Sequence, residues 1–189
     1  MLGGAKGSVL LIPAGTTPAV PPRRILVALD GSFRAESVFP MVHAIAGKIE
    51  DAELILVHVV SEPRASLVLS DVEDIKLAQH LASRLETSGA AYLASLKERL
   101  SPEMPHIKTC VVRNTDTRAA LLETARNEHA DMIVLAAHGI TANSEHSFGS
   151  VAGHVLHHAP IPVLVVQDLA GAATGASSCH ERQDGRGAH

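Results

Sequence analysis

Aromatic residues are nearly missing from this 189-residue chain, which has no tryptophan, one tyrosine and three phenylalanines. Its apolar residues make up 46% of the total and are mostly Ala, Val, Leu and Ile, a composition suited to aliphatic layers of sheet and helix. Cysteine is scarce as well. Cys110 falls in a strand-like run and Cys179 in a polar stretch, so no disulfide framework is visible and a reducing, cytoplasmic setting is expected. No block of Lys or Arg occurs and the formal net charge is -4, which argues against a nucleic-acid binder relying on a basic surface. No apolar run approaches the roughly 20 residues needed to span a bilayer. The apolar stretch in "MLGGAKGSVLLIPAGTTPAV" is also too short for a secretory signal.

The length fits one domain with tails. Residues 1–23 are rich in Gly, Ala and Pro and read as a flexible segment, and residues 169–189 lack apolar periodicity and read as a disordered tail. Between them, over residues 24–168, strands and helices alternate. "RILVALD" (24–30), "LILVHVV" (54–60), "IKTCVVR" (107–113), "MIVLAA" (132–137) and "PVLVV" (162–166) are short aliphatic runs of the buried, parallel-strand type. Ser32 and Asp116 sit where helix N-caps belong. Ala35, Val38, Phe39, Val42, Ile45 and Ala46 mark one helix face, with a kink expected at Pro40. A long helix is expected from about 71 to 100, with a bend at Gly89, then short helices over "TRAALLETARNEH" and over 150–158. Such alternation implies right-handed crossovers and a doubly wound parallel α/β sheet with helices on both faces. In sheets of this kind ligands bind outside the carboxyl ends of the strands. Asp30, Val59 and the loop after Ala137 all fall at such ends. A further similarity links "GSVLLIPAG" near the start to "IPVLVVQDLAG" near the end. It reads either as a chance aliphatic run or as the relic of the last strand of a lost repeat.

Several familiar sites fail their tests. "GGAKGS" has glycine where a phosphate loop requires Ser or Thr after the lysine, and no strand precedes it. No Gly-x-Ser-x-Gly elbow surrounds Ser147 or Ser150. Asp30 lacks the acidic neighbours that a magnesium-dependent phosphoacceptor needs. His154, His157 and His158 share a helical neighbourhood, with His138 and His146 nearby in sequence, but no cysteine or carboxylate completes a metal set. The helix dipole alone accounts for a histidine in the last turn. His58, inside an aliphatic run, reads as a packed residue with a hydrogen-bond partner.

The stretch from Val134 to Val166 remains. Gly139 and Gly149 bracket a long small-residue loop, and Ser150 opens the following helix. Glycine permits close approach of backbone to an anion, and amides at a helix start make an anion socket. Ser150 adds a hydroxyl. The motifs "ILVALDGS", "LILVHVV", "VRNTDTRAALLETARNEHADMIVLAAHG" and "FGSVAGHVLHHAPIPVLVV" together resemble the universal stress protein family. The resemblance runs from about Arg24 to Gln167.

That resemblance implies a single sheet of five parallel strands in the order 3-2-1-4-5. It also implies a stress-response module that binds ATP, or a related adenine nucleotide, with Mg2+ as a regulatory ligand. Asp30 would lie near the ribose or adenine, and the backbone at Val59 would meet the base. Ala136, His138, Gly139, Gly149, Ser150 and Val151 would form the phosphate loop. The family's pattern there is Gly-x2-Gly-x9-Gly-Ser/Thr, and Ala136 replaces its first glycine. Ile140 and Glu145 stand where many nucleotide-binding relatives carry basic residues, so weakened affinity is expected. No general base or arginine finger emerges, so hydrolysis would be slow at most. The last strand would pair across a homodimer, as an aliphatic edge that needs covering. The rival reading is a dimeric protein-interaction module whose phosphate loop is degenerate.

Overall fold

The computed structural model describes residues 7–16, 21–61, 72–139 and 148–167. Ile140, Glu145, His146, Ser147, Cys179 and the expected tail lie outside them. The elements are β1 (Val9–Leu11), β2 (Arg24–Leu29), α1 (Phe33–Glu36), α2 (Phe39–Ala46), β3 (Glu53–Ser61), α3 (Val72–Leu100), β4 (Ile107–Asn114), α4 (Thr117–Asn127), β5 (Met132–Ala136), α5 (Ser150–His158) and β6 (Val163–Val166). All six strands join one sheet in the order β1-β6-β5-β2-β3-β4. Strands β2 to β6 are mutually parallel and follow the expected order.

The aliphatic runs become strands because both faces of the sheet are covered. Ile25, Val27 and Leu29 point to one side, where they pack with Val38, Val42, Leu93 and Leu96 of the first three helices and their connections. Leu26, Ile55, Val57 and Ile133 point to the other and meet Leu121, Val155 and Leu156 of α4 and α5. Side chains of successive strand residues alternate between the two layers, so neither face can be polar. The amino ends of the strands are fastened by charge. Asp131 Oδ2 accepts from the amides of Arg23 and Arg24, each at 2.9 Å, and the Arg24 guanidinium donates to the Glu128 carbonyl while pairing with Glu53. Catching both faces and one end in this way leaves the carboxyl ends of the strands for a site.

Four expectations are corrected. The segment 1–23 is not flexible throughout, because Val9–Leu11 forms a sixth strand, antiparallel to β6. Consequently β6 is not an open edge; β1 occupies its outer side. Pro40 does more than kink a helix, since α1 stops at Glu36 and α2 begins afresh at Phe39 with the proline in its first turn, where the missing N–H costs nothing. Gly89, by contrast, leaves α3 as one uninterrupted helix of 29 residues. Among the described residues, no helix is long and apolar enough to cross a membrane.

Candidate functional site

A cavity of about 1080 Å³ opens at the carboxyl ends of β2, β3 and β5, and Asp30, Val59, Ala136, His138, Gly139, Gly149, Ser150 and Val151 all line it. Each arrives there for a local reason. Asp30 ends β2, and Gly31 turns the chain with φ +85, a conformation that favours glycine. The Asp30 carboxylate then folds over the turn, where Oδ1 accepts from the Ser32 amide at 3.0 Å and from its hydroxyl at 2.6 Å. Ser32 Oγ in turn caps α1 by accepting from the Ala35 amide at 3.1 Å.

The two loop glycines serve by leaving room. Neither has left-handed backbone, and Gly149 sits at φ -65. A methyl group on Gly139 would overlap Asp30 Oδ2, and one on Gly149 would lie 3.3 Å from the Ala137 carbonyl oxygen. The close approach expected toward an anion is therefore made within the chain, by Gly139 to a carboxylate and by Gly149 to a backbone carbonyl. The Gly149 amide is also not available to an anion, because it donates to Ala137 O at 2.7 Å. This corrects its expected place among the phosphate donors. Ala136 is partly buried, packed against the core beside the cavity.

What remains for an anion is the start of α5. The first three amides of a helix have no partner inside it, and here these belong to Ser150, Val151 and Ala152. At two other helix starts a side chain satisfies such groups: Ser32 caps α1, and Asp116 Oδ1 accepts from the amides of Arg118 and Ala119 at the start of α4, whereas α2, like α5, has no side-chain cap. The N-cap of α5 is Gly149, with no side-chain cap. Among the described residues no side chain caps this helix start, which faces the cavity with the Ser150 hydroxyl beside it and the dipole favouring negative charge. No Lys or Arg occurs among the described residues that line the cavity, so imidazoles at His58 and His138 are its basic groups.

The opposite wall was not visible as a site in the sequence. It is built by Leu85, Ser88, Gly89 and Tyr92 of α3 with His58 of β3. His58 Nδ1 donates to the Leu29 carbonyl at 3.0 Å, which fixes the tautomer, and its ring meets Tyr92 edge-on at 5.9 Å. So His58 has the hydrogen-bond partner expected of a packed residue, yet it also borders the cavity. Gly89 is what lets the helix pass, since a Cβ there would lie 2.7 Å from His58 Cδ2. Tyr92 donates to Glu36 Oε1 at 3.2 Å, and Arg99 pairs with the same carboxylate. Burial first, then the Glu36 carboxylate, pushes the Tyr92 phenol above its ordinary value. The only signal for this wall in the sequence was Tyr92 itself, a lone tyrosine on an otherwise aliphatic and polar helix.

The histidine cluster lies away from this cavity. His154 and His158 stack with centroids 4.1 Å apart, while His157 and His158 each donate Nδ1–H to a carbonyl four residues back. Burial, then the neighbouring His158, lowers the His154 pKa. Among the described residues no group of three or more His, Cys, Asp or Glu side chains is placed to hold a metal ion.

Comparison with known proteins completes the picture. The universal stress protein family model matches residues 22–167. A protein of Staphylococcus epidermidis named "Putative universal stress protein" is 30% identical over 154 residues, covering 77% of this chain and 84% of that one. Among solved structures, the universal stress protein UspA from Lactobacillus plantarum superposes with a TM-score of 0.66 at 22% identity, over 76% of this chain and 96% of the other. A universal stress family protein from Burkholderia pseudomallei gives 0.51 at 25% identity, over 79% and 98%. With the sheet order, the cavity at its carboxyl edge and a family match over most of its length, this chain belongs to the universal stress protein family.

Proposed function

We propose that the protein is a stress-response module that binds ATP, or a related adenine nucleotide, as a regulatory ligand. The observation that carries this reading is the start of α5, which no side chain caps among the described residues, opening into a cavity large enough for such a ligand. In this reading the phosphates take the place of the missing cap, held by the amides of Ser150, Val151 and Ala152 and by the Ser150 hydroxyl. The apolar surface near Val59 receives the base and Asp30 faces the ribose. His138 lies beside the phosphate path. Among the described lining residues Asp30 is the one carboxylate, and Mg2+ bound with the nucleotide fits such a site because this ion keeps several waters and leans on the phosphates themselves. Its contribution would be to offset phosphate charge where the described lining offers no Lys or Arg. No arginine is among the described lining residues to serve as an arginine finger, so hydrolysis is expected to be slow at most.

Calorimetric titration of the full chain with Mg2+ and ATP tests this, beside Ser150→Pro. Proline is well tolerated at the first position of a helix, and the extended backbone of Gly149, ψ 165, suits the residue before it. The substitution removes an amide donor and a hydroxyl while leaving the helix intact. Binding that is present in the natural chain and at least about tenfold weaker in the variant, a loss of about 1.4 kcal/mol, supports the reading. Equal affinities, or no binding by either, would remove it and favour the rival interaction module.

A further inference from the structure

The sheet ends in an unusual match. Strand β1 pairs with β6 in the register Val9 to Val165, Leu10 to Leu164 and Leu11 to Val163. On the other side of β6, the amides of Ile133 and Ala137 donate to the carbonyls of Pro162 and Val166. Because backbone groups alternate sides along a strand, Val163 and Val165 direct their N–H and C=O groups outward, toward Leu11 and Val9. Leu10 and Leu164 form the pair between them.

The same three pairs are what a two-fold axis through Leu164 would generate from two copies of β6. Val163 of one copy would lie opposite Val165 of the other, and Leu164 opposite Leu164. Substituting β1 for the second copy puts Val9, Leu10 and Leu11 in the places of Val163, Leu164 and Val165. The sequences are identical at the first two positions and aliphatic at the other two: Val-Leu-Leu-Ile at 9–12 against Val-Leu-Val-Val at 163–166. The likeness between the two ends of the chain therefore has a spatial counterpart, since the two similar segments lie side by side in the orientation that self-pairing of β6 requires.

We infer that β1 is a built-in stand-in for the β6 strand of a second copy of this chain, and that it holds the protein as a monomer by occupying the dimer edge in cis. The connection permits it. Leu11 lies at the amino end of β6 and Arg24 at the amino end of β2, three strands away, a distance of roughly 14 Å. The twelve residues between them can extend to roughly 40 Å. The cap is also thin enough to exchange. It is three residues long, Leu10 is 51% exposed and Ile12 is 53% exposed. Beyond the strand itself, the Gly7 amide adds one bond, to Gln167 Oε1 at 3.2 Å. Releasing β1 exposes a fully apolar strand edge, and a second copy of β6 is a self-complementary cover for it.

The test compares the full chain with one lacking residues 1–16 and with a full-length Val9→Pro, Leu11→Pro variant, whose prolines remove the amides that face β6. Mass is read by light scattering across a dilution series, and hydrogen exchange is followed at the amides of Val163 and Val165. The full chain should be monomeric, with those two amides protected to the same extent at every concentration. The truncated and proline variants should dimerise, with protection that rises with concentration, and adding Val165→Pro to the truncation should return it to monomer. A full chain whose protection at Val163 and Val165 depends on concentration overturns the inference, as does a folded truncated chain that stays monomeric. Should the truncation fail to fold, the proline variant and the full-length exchange measurement decide alone. These outcomes do not depend on whether nucleotide binds.

Discussion

Replacing Gly89 by alanine should destabilise the protein, although alanine is the better helix former. On α3 the exchange would ordinarily gain about 1 kcal/mol. Here the added methyl would sit 2.7 Å from His58 Cδ2 and 3.4 Å from its Nε2. The imidazole cannot simply turn aside. Its Nδ1–H is bound to the Leu29 carbonyl and its ring is braced by Tyr92. Forcing it away costs about 1–3 kcal/mol of overpacking strain and about 1 kcal/mol for the bond to Leu29. The steric side wins, leaving a net loss of roughly 1–3 kcal/mol, or a fall in Tm of roughly 2–12 °C at about 2–4 °C per kcal/mol. The sign should reverse when the obstacle is removed. In a His58→Ala background, Gly89→Ala should stabilise by up to about 1 kcal/mol. Urea unfolding of the four proteins in a double-mutant cycle measures both numbers. If Gly89→Ala stabilises the natural chain, or acts alike in both backgrounds, the account of this wall is wrong.

Gly139→Ala should press on Asp30 Oδ2, displacing a carboxylate that also holds Ser32. Titration with Mg2+ and ATP should show affinity weakened by about tenfold or more, with little change in Tm. The lone tyrosine permits a second check by ultraviolet difference absorbance. Tyr92 should ionise well above pH 10, the ordinary tyrosine value, and Glu36→Gln should lower its midpoint only partway, because burial is the larger cause. Since the folded value is raised, the stabilisation linked to Tyr92 is complete below about pH 10 and fades as pH climbs toward the folded value. Asp116 shows the opposite sign. Its hydrogen bonds with Arg118 hold its pKa at about 2, so its stabilisation is present above about pH 4 and is lost as pH falls through about 2. Asp116→Asn should keep the helix cap yet flatten that part of an acid unfolding curve.

The layered fold was legible in the sequence because its strands are buried on both faces and therefore read as unbroken aliphatic runs. Ser32 and Asp116 announced two helix starts, since a short polar side chain before an apolar face has few other uses. Strand β1 could not be read this way. Four apolar residues among Gly and Pro carry no periodicity, and their partner stands at the far end of the chain. The site was half legible. Residues Asp30, Val59, His138 and Ser150 do line one cavity, because Val59 lies near the carboxyl end of β3, Asp30 and His138 follow strand ends and Ser150 opens a helix. The bond from Gly149 to Ala137 arises only when the loop closes on β5, so the sequence offered no sign that this amide was spent. Likewise, nothing local marks Gly89 as the gap through which α3 clears His58.

With no tryptophan in the chain, ultraviolet emission comes from one phenol, and that phenol sits on the wall of the cavity. A purine entering alongside it would alter quenching at a single fluorophore whose position is known. The protein thus carries its own unlabelled optical probe, suited to stopped-flow capture experiments that would otherwise require a dye.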